Sequence, residues 1–360
     1  MKSFNGNRTG LVVATLFAAA CAPDLPTEAT SGGLAAARGG SGSPAYTSVD
    51  LGALLGNYSS SANDVNDAGD IVGGSCCGAG SGAFAIVAGA LTPLPGNGFA
   101  AQAISNGTPR YVAGSAAGQP VRWSISSGVS SQPVALELGG ASSGNALGVN
   151  DAGATVGSAG VQAAIWDAAG NLAVTLLLGD FVRGEGRDIN NAGDAVFVFS
   201  TAGSELADSR AFLRLASGQL VELPPLSGDV TSYANGISEV VDNSLYVAGS
   251  TRTDMNVSRS VRWTIDVTTA TVTDTRVRPE DSHALGVSDA GATAGFLDGP
   301  VNSLSSSAFL WRGNELLSLK PPKSAKNAKA WAISPSGQFV TGEAIFGGTR
   351  RAVRWTVLSP

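Results

Sequence analysis

Residues 45–360 carry their apolar side chains in short β-prone runs, each closed off by Gly, Asn, Asp or Ser. The runs recur in a fixed order. Ala62-Asn63-Asp64-Val65-Asn66-Asp67-Ala68-Gly69-Asp70-Ile71-Val72-Gly73 returns as Ala146-Leu147-Gly148-Val149-Asn150-Asp151-Ala152-Gly153-Ala154-Thr155-Val156-Gly157. Shorter copies occupy 186–193, 284–291 and 330–337, and looser ones 101–114 and 234–249. The aliphatic anchors Val65, Ile104, Val149, Ile189, Ile237, Val287 and Ile333 are 39 to 50 residues apart. A unit of that length is one supersecondary element that must stack on its neighbours to bury a face.

Each unit predicts four strands. Strand a ends at the anchor. A tight turn follows, where Gly accepts positive φ and the Asx side chain bonds the turn backbone. Strand b is the Ile71-Val72-Gly73 type of segment. Strand c ends on tryptophan in Val121-Arg122-Trp123, Ala164-Ile165-Trp166, Val261-Arg262-Trp263, Phe309-Leu310-Trp311 and Val353-Arg354-Trp355, with Ile86 and Arg214 taking that place in the two other copies. Strand d is a run such as Leu220-Val221-Glu222-Leu223-Pro224. The last copy stops after strand c, near Val357-Leu358, while Tyr46-Thr47-Ser48-Val49-Asp50-Leu51 looks like a strand d with no strands before it. The orphan fits the gap. The expected fold is all-β, a seven-bladed β-propeller of four-stranded antiparallel blades, closed by the N-terminal strand pairing with the last blade. Such a ring leaves only short sheet edges. A linear solenoid would carry polar caps, and none is evident.

The stretch Tyr58 to Gly73, followed by Ala83-Phe84 and later Leu94-Pro95, resembles the HAF repeat of bacterial extracellular proteins. The His of that family's His-Ala-Phe triplet is missing: Gly82 precedes Ala83-Phe84, and Ser307 precedes Ala308-Phe309. The resemblance implies export and a repeat fold. It brings no reaction and no catalytic residue.

The N-terminus reads as an export signal, with Lys2 and Arg8, then apolar Leu11 to Ala20, then small residues before Cys21. The apolar stretch is too short to span a bilayer. Ala18-Ala19-Ala20-Cys21 resembles a bacterial lipobox, although Ala18 stands where the commonest form has Leu. The expected organisation is a signal peptide over 1–20, a lipidated flexible tether over 21–44 with a palmitate-type anchor on Cys21, and the propeller over 45–360. Ordinary cleavage after Ala20 is the alternative. The tether lacks aromatic residues and cannot bury enough surface to offset its ordering entropy. The expected location is exported and membrane-anchored, at the cell surface or in the periplasm.

Gly and Ser are abundant and charged residues few, which suits short strands and tight turns. The net charge of −6 becomes −8 once Lys2 and Arg8 are removed. Without a basic cluster, that balance argues against nucleic-acid binding.

Candidate chemistry is sparse. Cys76 and Cys77 are adjacent in a b–c loop, where a strained vicinal disulfide is possible in an oxidising compartment. His283 is the single histidine, beside Asp281 and Ser282, so multi-histidine metal sites are excluded; a Ser-His-Asp reading needs all three side chains to converge. The Asp64 to Asp70 stretch faintly resembles a calcium loop, but Ala68 stands at a ligand position and Gly148 and Gly286 take the first position in other copies. The repeated tryptophans suit packing between units better than a carbohydrate platform. No metal, cofactor or catalytic residue is expected. The b–c connections vary most, and function tends to sit on variable loops of a rigid scaffold. The expected ligand face therefore bears Arg252, Asp254, Asn256, Arg259 and Asp298. The reading is a noncatalytic, monomeric, exported lipoprotein that binds a protein or glycan. The alternative is a secreted polysaccharide hydrolase or lyase with a carboxylate site at the propeller mouth.

Overall fold

The a–b turns show how local sequence ends one strand and starts the next. In Asn150-Asp151-Ala152-Gly153, the Asn150 Oδ1 accepts the Ala154 N–H at 3.0 Å, and Gly153, at φ +80°, donates its N–H to the Asn150 carbonyl at 2.9 Å. Asn66 closes its turn the same way, accepting from Ala68 and Asp70. The computed structural model describes residues 35–37, 45–78, 81–96, 98–201, 208–299 and 305–358. Among these, every regular element is a β-strand.

The strands pair antiparallel with sequence neighbours. Asn57–Val65, Ile71–Gly78, Gly82–Val87 and Ala90–Pro93 form one four-stranded sheet. Gly144–Val149, Thr155–Ala159, Gln162–Trp166 and Leu172–Leu176 form another, as do Arg183–Ile189, Ala195–Ser200, Ser209–Arg214 and Leu220–Leu223. Gly98–Ile104, Arg110–Ala116 and Gln119–Ser126 have a split outer strand, Val129–Ser130 and Val134–Ala135. The long strand Thr271–Val287 is shared: its first part is strand d beside Ser258–Asp266, and its second part is strand a beside Thr293–Asp298. Two four-stranded groups thus run on as one seven-stranded sheet.

Tyr46–Gly52 lies antiparallel to Thr349–Val357, with Tyr46 opposite Val357 and Val49 opposite Arg354. It is the outer strand to Ala325–Ile333, Phe339–Phe346 and Thr349–Val357. Ala35–Ala37, within the span expected as tether, adds a further strand opposite Tyr46–Ser48. An open sheet edge offers unpaired backbone groups to any neighbouring segment, which accounts for this departure.

Strand a carries a β-bulge just before its anchor in every sheet, at Asn63, Gln102, Leu147, Arg187, Asn235, Leu285 and Trp331. A bulge leaves one residue out of the ladder and re-aims it. Strand b answers with glycine: a Cβ on Gly157 would lie 1.9 Å from the Asn145 carbonyl oxygen. Phe197 breaks the pattern, and there the glycines move to strand a, where Gly184 and Gly186 lie against the Phe199 and Phe197 rings.

The core lies between sheets. Trp123, Trp166, Trp263 and Trp355 are fully buried. Their indole N–H groups donate to the carbonyls of Pro95, Glu137, Pro224 and Lys320, at the end of the preceding sheet's outer strand. The repeated tryptophan is a packing residue, and none of these four offers a face to a sugar. The arginine before it also reaches across: Arg122 donates to the Gly153 and Ala168 carbonyls, and Arg262 to that of Gly291.

Candidate functional site

Strand a begins at the b–c and d–a loops and ends at the a–b turns, so each of its ends opens on a different face. At the turn end, the bulges and anchors of all the sheets line one cavity of about 170 Å³. Asp64 accepts the N–H groups of Val65 and Ile104, each at 2.8 Å. Burial pushes its carboxyl up to about 7; the Ile104 N–H pulls it down and the charge of Asp188 pushes it up again. Asp188 accepts from Ile189 at 2.9 Å and Ile237 at 3.0 Å, and burial raises it to about 6 against those bonds and the Arg187 charge. Glu239 rises to about 7, through burial and the charges of Asp289, Asp151 and Asp188, against the Asn191 N–H it accepts. Burial also raises Asp289, which takes the Glu239 N–H.

These carboxylates converge, which sequence spacing does not reveal. Each is nonetheless engaged by backbone donors of a neighbouring sheet. The cavity is also small: sites for drug-sized ligands run ~300–1,000 Å³. The calcium-like stretch does not converge on a point, since Asp64 turns to Ile104 while Asp70 accepts the Ala88 N–H and pairs with Arg110.

The loop end gathers a different set. His283 Nε2 lies 3.0 Å from Asp298 Oδ2. The His283 ring stacks on Phe296 with centroids 4.8 Å apart, and the Lys329 ammonium sits 4.2 Å from the centroid of the same ring. Trp331 meets Phe296 edge to face at 5.8 Å. Asp281 accepts the Ser258 N–H at 3.1 Å. Burial opposes ionisation of Asp298, but the His283 hydrogen bond and charge, with Lys329 and Arg252, hold its carboxyl below the ordinary range. Burial lowers Arg252 and Lys329, against attraction from Asp281 and Asp298 for Arg252 and from Glu343 and Asp298 for Lys329.

Of the expected face residues, Arg252 and Asp298 meet in this cluster. Arg259 lies 3.2 Å from Asp229 instead. Asp254 and Asn256 are exposed in the loop between Arg252 and Ser258. His283, Lys329 and Phe296 were missed as partners. Hairpin register supplies the missing signal: counting back from the Ser288-Asp289-Ala290-Gly291 turn puts His283 opposite Phe296, two residues from Asp298. Ser282 does not join His283, because it is fully buried and its hydroxyl oxygen accepts the Ser260 N–H. Cys76 is buried and Cys77 half-buried near the end of strand Ile71–Gly78, with their sulfurs 2.6 Å apart. Cys21 lies outside the described residues.

No family model and no curated relative matches the chain. Solved structures do. A chain of the mitotic checkpoint complex aligns with a TM-score of 0.55 at 12% identity, covering 94% of this chain and 99% of that one. Catalytically inactive virginiamycin B lyase from Staphylococcus aureus aligns with a TM-score of 0.52 at 13% identity, covering 87% of this chain and all of that one. The β-propeller domain of the Trilobed protease from Pyrococcus furiosus, described as having an open velcro topology, aligns with a TM-score of 0.50 at 10% identity, covering 84% and 97%. The fold is a β-propeller. At such low identity the likeness extends to fold alone, and the propeller supports no activity by itself.

Proposed function

We propose that the chain is an exported, lipid-anchored propeller of seven blades that binds a protein partner, without catalysis, through its b–c and d–a loop face. What supports a closed ring is a relay of hydrogen bonds at the a–b turns. Asp67 N–H donates to Asn106, Asn106 to Asp151, Asp151 to Asn191, Asn191 to Glu239, and Glu239 to Asp289. Asp289 N–H then donates to the Pro335 carbonyl, and Ser336 N–H returns to Asp67. The Tyr46–Gly52 strand beside Thr349–Val357 supplies the seam. Removing residues 45–52 is expected to abolish cooperative thermal unfolding followed by circular dichroism; an unchanged transition would refute the seam.

The observation that carries the binding role is that more of the exposed apolar side chains lie at the loop end than elsewhere, Val129 and Val241 being exposed at the turn end. Leu55, Tyr58, Phe99, Val182, Val230 and Met255 all sit at b–c or d–a positions, and Leu55 is fully exposed. Exposed apolar side chains gathered on one face suit an interaction site, and they fit a protein better than a glycan. Photo-crosslinking from Met255 in the producing cell, compared with Val241 at a turn on the other face, tests it. Defined adducts from Met255 alone are expected, and equal labelling from both would sink the reading. Lipidation is tested by palmitate labelling, expected in the wild type and lost in Cys21→Ser.

A second reading, hydrolysis or lysis of a polysaccharide by carboxylates at the mouth, is favoured only by the convergence of Asp64, Asp188 and Glu239. The small cavity and their backbone partners weigh against it.

A further inference from the structure

We propose that Asp281, His283 and Asp298 form a site for a first-row divalent metal ion, with Zn²⁺ the ion that suits this ligand set. Each residue offers one ligand atom, and the three atoms lie within 4.8 Å of one another. The group combines one imidazole with two carboxylates, donor types that zinc accepts, and it leaves a fourth position open. Bonds of about 2.1 Å put neighbouring ligand atoms about 3.0–3.4 Å apart, and His283 Nε2 and Asp298 Oδ2 already stand 3.0 Å apart. Asp281 is exposed, and swinging its carboxylate about the Oδ1 that accepts the Ser258 N–H brings the other oxygen inward.

The surroundings hold these ligands in place. Stacking on Phe296 fixes the His283 ring plane, and Phe296 is itself buried. The Ser258 N–H occupies Asp281 Oδ1 and leaves the other oxygen for the metal. Such supporting contacts orient metal ligands generally. Metal ions compete with protons for imidazole and carboxylate ligands generally, so binding weakens as pH falls. Arg252 opposes it, lying near both Asp281 and Asp298, and removing that charge favours the cation. The open position faces solvent at the loop end, where water or a donor on a ligand completes the shell. The site does not depend on the protein-binding reading.

His283 is the single histidine of the chain, so its ring protons give one unambiguous set of NMR signals. Zn²⁺ added to the purified full chain is expected to shift them at about one equivalent, with calorimetry giving the same stoichiometry. His283→Gln and Asp298→Asn should each weaken binding at least tenfold, while Arg252→Met tightens it several-fold. The melting temperature of each metal-free variant establishes that it is folded. Unmoved His283 signals, or zinc uptake lost in a Cys76→Ser, Cys77→Ser double variant and kept in His283→Gln, would overturn the site.

Discussion

At the turn end of the strands, Asp64, Asp188, Glu239 and Asp289 each hold a backbone N–H of a neighbouring sheet in a cavity of about 170 Å³. At the loop end, Asp281, Asp298, Arg252, Lys329 and His283 face one another, and Leu55, Phe99 and Met255 stand exposed beyond them. The same residue types therefore do different work. Carboxylates at the turns complete the fold, because a buried backbone donor left without an acceptor is costly. At the loops Asp298 has side-chain partners that a ligand can displace, while Asp281 holds the Ser258 N–H with one oxygen. Convergence of acids therefore says little about chemistry unless their lone pairs are free.

The largest effect is expected at the scaffold. Gly157→Val sets a side chain against the Asn145 carbonyl, where even a Cβ would come within 1.9 Å. Overpacking typically costs ~1–3 kcal/mol, and a facing backbone oxygen that cannot move puts this site at the upper end, so the variant is expected to fail to give folded protein. Recovery of native circular dichroism would mean the bulge is soft. Asn190→Ala comes next. It leaves the Ser238 carbonyl and the Asp194 N–H without their partner in a buried place, for a cost of about 3 kcal/mol in denaturant unfolding. A loss well under 1 kcal/mol would mean that the contacts between turns carry little stability.

Acidity separates the two ends more finely. Asp64, Asp188 and Glu239 have folded values of about 7, 6 and 7, above their ordinary ones. The folded state therefore holds protons that the unfolded state has lost, and stability falls as pH rises from about 4 to 7. Melting temperature is expected to fall across that window. Asp64→Asn should flatten the slope, since its amide oxygen accepts the Ile104 N–H without titrating, although the Val65 N–H then loses its acceptor. A slope unchanged by this variant would remove Asp64 as a source.

Much of the turn end was legible in sequence. Asn66, Asn150 and Asn190 announce their turns because the Asx bond and the following Gly are local chemistry. Trp123 and Trp355 announce burial because they recur at one place in the unit. The bulge was not legible: Asn63, Leu147, Arg187 and Trp331 share no side-chain type, and what accompanies most bulges is a glycine on the facing strand, moved to strand a at Arg187. The loop-end cluster was half legible. Arg252 and Asp298 stood out as polar residues near variable loops, but Lys329 comes from the next sheet, and only three-dimensional stacking places it on Phe296. Asp254 and Arg259 looked equivalent to Arg252 in sequence. The strand pairing sends Arg259 to Asp229 and leaves Asp254 in the loop.

The smallest expected effect on stability comes from the apolar residues of the loop end, and it is the sharpest test of their purpose. Phe99 is 54% exposed and Met255 76% exposed, so neither holds the core together. Phe99→Ser and Met255→Asp should each change unfolding free energy by no more than about 0.5 kcal/mol, as surface substitutions do. If the face binds a protein, Phe99→Ser should still remove the adduct formed by photo-crosslinking from Met255, because desolvated apolar anchors carry most of the energy of an interface. A large loss of stability would show instead that these side chains brace the loops, and the exposed rim would then belong to the scaffold, as the turn-end acids do.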